Sequence, residues 1–340
     1  MTALQAPPAA PELLAHCAGL VRPALRQAVG RLHPWLGEMA AYSFGWCEVG
    51  GAPATAASGG KGVRQALAVL GARAAGADEH AGIPAAVAVE LVHVFSLLHD
   101  DIMDGDATRR RRPAVWKAYG TGPAVLAGDA LFALAVETLA AVPQGAGAVR
   151  LLSAALADLM RGQADDLLFT GRPCTGPDRV TVEEYRSMAE AKTGALLGCA
   201  AALGALLGGA DEDTTSALDR AGRHLGIAFQ LVDDVLGIWG DPAVTGKPTG
   251  GDLRERKKTY PVLAALGSPA GRALPELLDS PGRSEEAAEL IEAAGGRTAA
   301  LAEARAHTAT ARALLSRAPL AAGAAGDLLT VLDFLVGREL

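Results

Sequence analysis

What this sequence lacks narrows its fold and its chemistry. Aromatic residues make up only 4% of the chain, and no run alternates apolar and polar residues for a useful length. Aromatic and β-branched residues mark strands, and period-two alternation marks a half-buried sheet, so a sheet-based fold is disfavoured. Cysteine is scarce: Cys17, Cys47, Cys174 and Cys199 form no C-x-x-C pair. That argues against a zinc site and against a disulfide framework, and it fits free thiols in a reducing cytoplasm. Basic charge is in deficit, with 31 Lys and Arg against 38 Asp and Glu and a net charge of −7. Nucleic acid is therefore not expected as a main partner, because a phosphate-backbone binder carries a basic stripe. No solenoid-period repeat is present. The opening residues, MTALQAPPAAPE, have neither a basic start nor an apolar stretch and do not read as a signal peptide.

What is present points to helices. Half of the chain (50%) is hydrophobic, and it is rich in alanine and in glycine, with 41 of the latter. Residues 1–11 read as a disordered Pro/Ala leader. Residues 12–340 read as a single all-α domain, a large bundle of about a dozen helices. Breaks rich in Gly, Pro, Asp or Thr fall at Gly50–Gly60, Gly76–Pro84, Gly171–Asp178, Ala210–Asp213 and Asp241–Gly251. Thr193 to Ala210 carries no charge and touches the length of a membrane span. Its small residues and its bounding Lys192 and Asp211 favour a buried, closely packed central helix instead. The Ala-rich tail after Ser280 is expected to be helical and holds no chemical cluster.

The stretch ELVHVFSLLHDDIMDGDATRRRR, from Glu90 to Arg112, ends an apolar helical run in Asp100, Asp101 and Asp104. Asp100 and Asp104 stand at i and i+4 and share a helical face, with His93 two turns earlier on the same face. Acidic residues are favourable at a helix N-terminus, whereas these lie near a C-terminal end, where they cost stability. A bound Mg²⁺ relieves their repulsion and takes hard oxygen ligands. The four arginines that follow, Arg109 to Arg112, match phosphate oxygens bidentately, although a charge run is often only a solvated face.

A second cluster appears in GIAFQLVDDVLGIWGD, Gly226 to Asp241, where Gln230, Asp233 and Asp234 stand at i, i+3 and i+4. Buried acids need a partner. Two such helices facing each other would make an acidic cleft for several Mg²⁺ ions, each completed by water and substrate phosphate. Gly246-Lys247 and Asp252 to Lys258 follow, readable as surface charge or as a basic lid.

With these residues in view, the sequence resembles the trans-polyprenyl diphosphate synthases, and more narrowly the actinobacterial geranylgeranyl diphosphate synthases, from about Gly59 to Pro261. The resemblance implies the isoprenoid-synthase helical fold and a cytoplasmic, Mg²⁺-dependent, homodimeric enzyme. It would condense isopentenyl diphosphate head to tail with allylic prenyl diphosphates. Gly60-Lys61-Gly-Val-Arg64 is similar to the first diphosphate-binding motif, so Lys61, Arg64, His93 and Arg110 would hold isopentenyl diphosphate. Asp100, Asp101 and Asp104 match the first aspartate-rich motif, and Asp233 and Asp234 the second; all five would serve the metals. Arg109, Lys192, Thr193, Gln230, Lys247 and Lys257 would meet the allylic diphosphate. Among these, Lys192, Thr193, Gln230 and Lys257 form the expected catalytic set.

One departure stands out. Many members close the second motif with a further aspartate, where this chain has Gly237. Asp241 lies about 12 Å along the axis from Asp233 and cannot replace it on the same ion. The metal site is expected to survive on Asp233 and Asp234, and Gly237→Asp is expected to be tolerated with a modest change in rate. Two other readings share this fold. A class I terpene cyclase would need no isopentenyl site and would carry an Asn/Ser/Glu-type second motif. A non-catalytic partner subunit would have lost acidic residues. For product length, the resemblance points to Phe95 and Ser96, just before the first motif. One aromatic and no insertion imply geranylgeranyl diphosphate, with farnesyl diphosphate next.

Overall fold

Proline decides where many of the helices start. Pro11, Pro34, Pro84, Pro261 and Pro275 each occupy the first or second position of a helix. There the fixed φ suits the helix and the missing N–H has no partner to lose. The computed structural model describes residues 9–54, 60, 62–241, 250–280 and 282–337. Among them are sixteen α-helices: α1 (Ala10–Val29), α2 (Pro34–Ser43), α3 (Val63–Ala74), α4 (Ile83–Met103), α5 (Val115–Tyr119), α6 (Thr121–Ala140), α7 (Gly145–Gly171), α8 (Val182–Ala189), α9 (Ala195–Leu207), α10 (Glu212–Trp239), α11 (Gly251–Arg254), α12 (Tyr260–Leu266), α13 (Leu274–Asp279), α14 (Ser284–Ala293), α15 (Gly296–Arg317) and α16 (Ala324–Val336). The only strands among the described residues are β1 (Thr108–Arg109) and β2 (Arg112–Pro113), an antiparallel pair. The all-α expectation holds. The helices outnumber the expected dozen because Pro and Gly split the region after α10 into short pieces. At the N-terminus, α1 already includes the last two residues of the expected leader, and residues 1–8 lie outside the described residues.

The chain divides into two compact units. The first is Met1–Ala154 with Cys199–Asp219 and Arg317–Val331; the second is Ala155–Gly198 with Arg220–Ser316 and Leu332–Leu340. In the first unit α4 is buried along nearly its whole length, from Ala85 to Leu98, and α3 crosses α9 at backbone contact. A Cβ at Gly204 would lie 1.9 Å from the carbonyl oxygen of Ala68. The abundance of Gly and Ala is thus spent on close helix approach. Gly204→Ala is expected to destabilise the chain by about 1–3 kcal/mol through overpacking. It should lower the denaturation midpoint at unchanged slope. Gly19→Ala in α1, whose added Cβ meets nothing within 4 Å, is the matched control and should not destabilise. In the second unit, Tyr185, Met188, Leu231, Val235, Tyr260 and Leu263 lie in one apolar cluster.

Three helical stretches, Glu79–Met103, Thr121–Ala140 and Val182–Leu207, are long and apolar enough to cross a membrane by length and composition. The last holds most of the uncharged segment noted in the sequence, and 83% of its apolar window is buried in the protein. That burial is what a central packed helix requires.

Candidate active site

In the first unit, the site residues gather around the start of α3. Gly62, with φ of +66°, turns the chain into the helix, and no side chain caps its first turn. An uncapped helix N-terminus attracts anions. Arg64 stands in that turn, and its Nε is buried without a hydrogen-bond partner among the described residues. A buried guanidinium N–H left in this state is a donor suited to an anionic ligand. Burial lowers Arg64 to about 10, while the neighbouring Glu90 carboxylate opposes the shift. Glu90 itself is buried, which raises it, with Arg64 and a Gln65 hydrogen bond pulling it back. His93, one turn along α4 from Glu90, is held well below its usual range by desolvation and then by the charges of Arg64, Arg110 and Arg109. It is therefore neutral at pH 7 and able to donate one hydrogen bond. Sequence reasoning found Arg64, His93 and Arg110 but missed Glu90, the counter-ion that makes their crowding tolerable.

The arginine run folds as a tight hairpin. Thr108 pairs with Pro113 and Arg109 with Arg112, leaving Arg110 and Arg111 at the turn with φ of 52° and 63°. Two consecutive left-handed residues are the geometry of a type I′ turn, normally made by Asn and Gly. Keeping arginines there costs of order 1–3 kcal/mol each, and such strain collects at functional sites. Three of the four arginines make different contacts. Arg109 donates from Nε to Asp101 Oδ1 at 2.5 Å. Arg110 reaches the loop before α3, where a Cβ on Gly60 would lie 2.8 Å from its Nη2. Arg112 binds the carbonyls of Tyr42 and Cys47 and the carboxylate of Glu48, and it stacks over the Tyr42 ring at 4.0 Å. Arg112 thus fastens the hairpin to its surroundings.

The three aspartates at the end of α4 also differ. Asp101 is 2% exposed and is raised by burial, with Arg109 opposing. Asp100 is half-buried, and Asp104, at the helix C-cap, is exposed. Phe95 packs edge-on against His99 and tilted on Phe132 of α6. The Ser96 hydroxyl donates to the carbonyl of His93 at 2.9 Å.

In the second unit, the chain forms a single π-turn, Glu190–Gly194, between α8 and α9. Such insertions are rare and mark functional positions. Lys192 and Thr193 lie in it. Its course is set by glycine packing: a Cβ at Gly226 would sit 2.3 Å from the Gly194 Cα. Lys192 Nζ pairs with Asp166 Oδ2 of α7 at 2.5 Å. Thr193 Oγ1 donates to Gln230 Oε1 at 2.9 Å, and Gln230 Nε2 donates to Asp234 Oδ1 at 2.9 Å. Asp234 Oδ2 accepts from the Tyr185 hydroxyl at 2.5 Å and from Tyr260 N–H at 3.0 Å. Asp234 is 4% exposed. Burial is the main cause that pushes its carboxyl up to about 7; the Asp252 charge acts in the same direction and the hydrogen bonds oppose it. Asp233, next in sequence, is exposed. Lys257 Nζ lies 2.8 Å from Glu255 Oε2.

Asp166 and Gln163 were missed by sequence reasoning. Both amide atoms of Gln163 are buried without a hydrogen-bond partner among the described residues. The signal available was the i, i+3 pair of polar residues on an otherwise apolar face of α7. Lys61 and Lys247 lie outside the described residues. Among the described residues, no three His, Cys, Asp or Glu side chains converge to enclose an ion. Carboxylate oxygens of Asp100 and Asp104 in the first unit, and of Asp233 in the second, are accessible donors. Each unit thus offers one or two carboxylates of the kind that suit a hard cation completed by water and phosphate, so the residues fit magnesium.

Comparisons with known proteins bear on the family and the fold. The polyprenyl synthetase family model matches residues 52–294. A (2E,6E)-farnesyl diphosphate synthase of Mycobacterium tuberculosis is 45% identical over 332 residues, covering 94% of this chain and 91% of that protein. A geranylgeranyl diphosphate synthase of the same organism is 47% identical over 284 residues, covering 81% and 79%. The crystal structure of a polyprenyl synthetase from Streptomyces coelicolor A3(2) superposes with a TM-score of 0.89 at 47% identity, covering 96% of this chain and 99% of that one. With a family match over most of its length and near-full-length relatives at this identity, the chain belongs to the polyprenyl synthetase family and is a transferase.

Proposed function

We propose that this enzyme condenses isopentenyl diphosphate head to tail with an allylic prenyl diphosphate, ending at geranylgeranyl diphosphate. The observation that carries the proposal is the cluster at the start of α3. Arg64 with its unpartnered Nε, neutral His93 and Arg110 surround one compensating carboxylate, Glu90. A second, non-ionising diphosphate needs such a seat, and a terpene cyclase does not.

Each group then has a task. Arg64, His93 and Arg110, together with Lys61, hold isopentenyl diphosphate and fix its alkene for attack. Asp100 and Asp104 in the first unit, and Asp233 in the second, would hold Mg²⁺, which when bound would supply Lewis-acid neutralisation of charge on the departing diphosphate. Arg109, Lys192, Lys247 and Lys257 add fixed positive charge at the same group. Asp101 and Asp234 are spent on internal hydrogen bonds. In this proposal Asp101 orients Arg109, and Asp234 anchors α10 so that Asp233 stays open to a cation. Thr193 and Gln230 extend that chain of hydrogen bonds to the π-turn and keep Lys192 at its post. The allylic C–O bond breaks, the alkene of isopentenyl diphosphate forms the new C–C bond, and the proton then released passes to the freed diphosphate.

Incubation with isopentenyl diphosphate and each of dimethylallyl, geranyl and farnesyl diphosphate, followed by sizing of the products, tests the reaction. A 20-carbon diphosphate is expected from all three primers, and no elongation with any of them would overturn the proposal. Phe95 is proposed to set the stop. Its ring is 7% exposed and fills the space between α4 and α6. Phe95→Ala is expected to shift the product beyond that of the parent enzyme, read by chromatography of the dephosphorylated alcohols. Such a truncation also costs about 3–5 kcal/mol, so Phe95→Leu is the gentler companion. An unchanged product distribution from a folded, active variant would move the stop elsewhere. The protein is further proposed to be a cytoplasmic homodimer.

A further inference from the structure

Resting on the reaction proposed above, we infer that Asp252 supplies the carboxylate that Gly237 leaves out of the second aspartate cluster. Gly237 stands one turn beyond Asp233 on the same face of α10. A Cβ built there would meet Asp252 Oδ2 at 2.0 Å, Cγ at 2.6 Å and Oδ1 at 3.2 Å. What fills the place of the absent side chain is therefore the carboxylate group of Asp252 itself. It arrives from α11, a separate element, and its side chain is 20% exposed, so solvent and a cation can reach it. Its charge is felt within the cluster, since it is one of the groups that raise Asp234. The same short segment presents Lys257, whose N–H donates to the Asp252 carbonyl at 2.9 Å and whose Nζ stands 4.0 Å from Asp252 Oδ1.

Gly237 is thus the residue that leaves room for a carboxylate delivered from elsewhere in the chain. On this inference Gly237→Asp alone would push aside the end of the Asp252 side chain and set two carboxylates next to each other, which disfavours both being ionised. Asp252 and position 237 form an exchangeable pair: one carboxylate is needed there, from either backbone.

The test is Mg²⁺ binding to the full chain in the presence of inorganic pyrophosphate, followed by isothermal titration calorimetry. The proteins are the parent, Asp252→Asn, Gly237→Asp, the double variant Gly237→Asp/Asp252→Gly, and Asp233→Ala as reference. Asp252→Asn keeps the shape and removes the charge; it is expected to weaken Mg²⁺ binding about tenfold or more. Gly237→Asp alone should bind worse than the parent, and the double variant should recover most of the loss. Melting in EDTA shows which variants are folded. Parent-like Mg²⁺ affinity in Asp252→Asn, while Asp233→Ala is impaired, overturns this inference alone. So does a folded double variant that binds no better than Asp252→Asn. A parent that binds no Mg²⁺ with pyrophosphate overturns both the inference and the metal-dependent reaction it rests on.

Discussion

Asp233→Ala is expected to lower turnover by about two to three orders of magnitude, the usual cost of removing charge stabilisation at a reacting group. It should shift stability by no more than about 0.5 kcal/mol, as for other exposed positions. Asp233 is exposed on α10, and alanine is the better helix former, so no packing among the described residues depends on the carboxylate. Asp100→Ala at the end of α4 should lower turnover by a similar factor. Turnover is to be measured at saturating substrates and Mg²⁺, alongside unfolding of the metal-free protein. Turnover within a few-fold of the parent for either variant would remove that residue from the metal site.

The neighbouring residue should give the opposite result. Asp234→Ala leaves the Tyr185 hydroxyl, the Gln230 amide and the Tyr260 N–H without their acceptor. Buried groups stranded in this way cost about 1–3 kcal/mol each, so a loss on the order of 3–5 kcal/mol is expected. Equilibrium denaturation in EDTA measures it, and parent-like stability would show that Asp234 does not hold this network. Asp234 also predicts a pH dependence. Its carboxyl stands at about 7 in the folded chain, above the ordinary carboxylate value of about 3.9. The folded state therefore keeps a proton that the unfolded state has lost. Stability from this group is full below the unfolded value and is lost as pH rises through the folded one. Asp234→Asn should flatten that slope between roughly pH 4 and 7, whatever its effect on the plateau.

The sequence alone carried the helical class, the two acidic clusters and most of the residues proposed to meet phosphate. Helix formation leaves a 3.6-residue pattern in a local window. Metal and diphosphate binding demand particular residue types at fixed spacings on such helices. Asp100, Asp104 and His93, and Gln230, Asp233 and Asp234, were legible for that reason; Arg64, Lys192 and Thr193 came only from the family resemblance. Tertiary structure decided what each of them does. Asp233 and Asp234 are indistinguishable by type and spacing, yet one faces solvent and the other ends a hydrogen-bond network joining α8, α10 and α12. In the arginine run, only the hairpin register separates Arg109, which holds Asp101, from Arg112, which fastens the loop. Lys192 meets Asp166, and Gly237 makes way for Asp252, across intervals of chain that no local pattern spans. Spacing along a helix tells which residues share a face. It does not tell what packs against that face, because those neighbours come from distant segments and are chosen by the burial of the whole core.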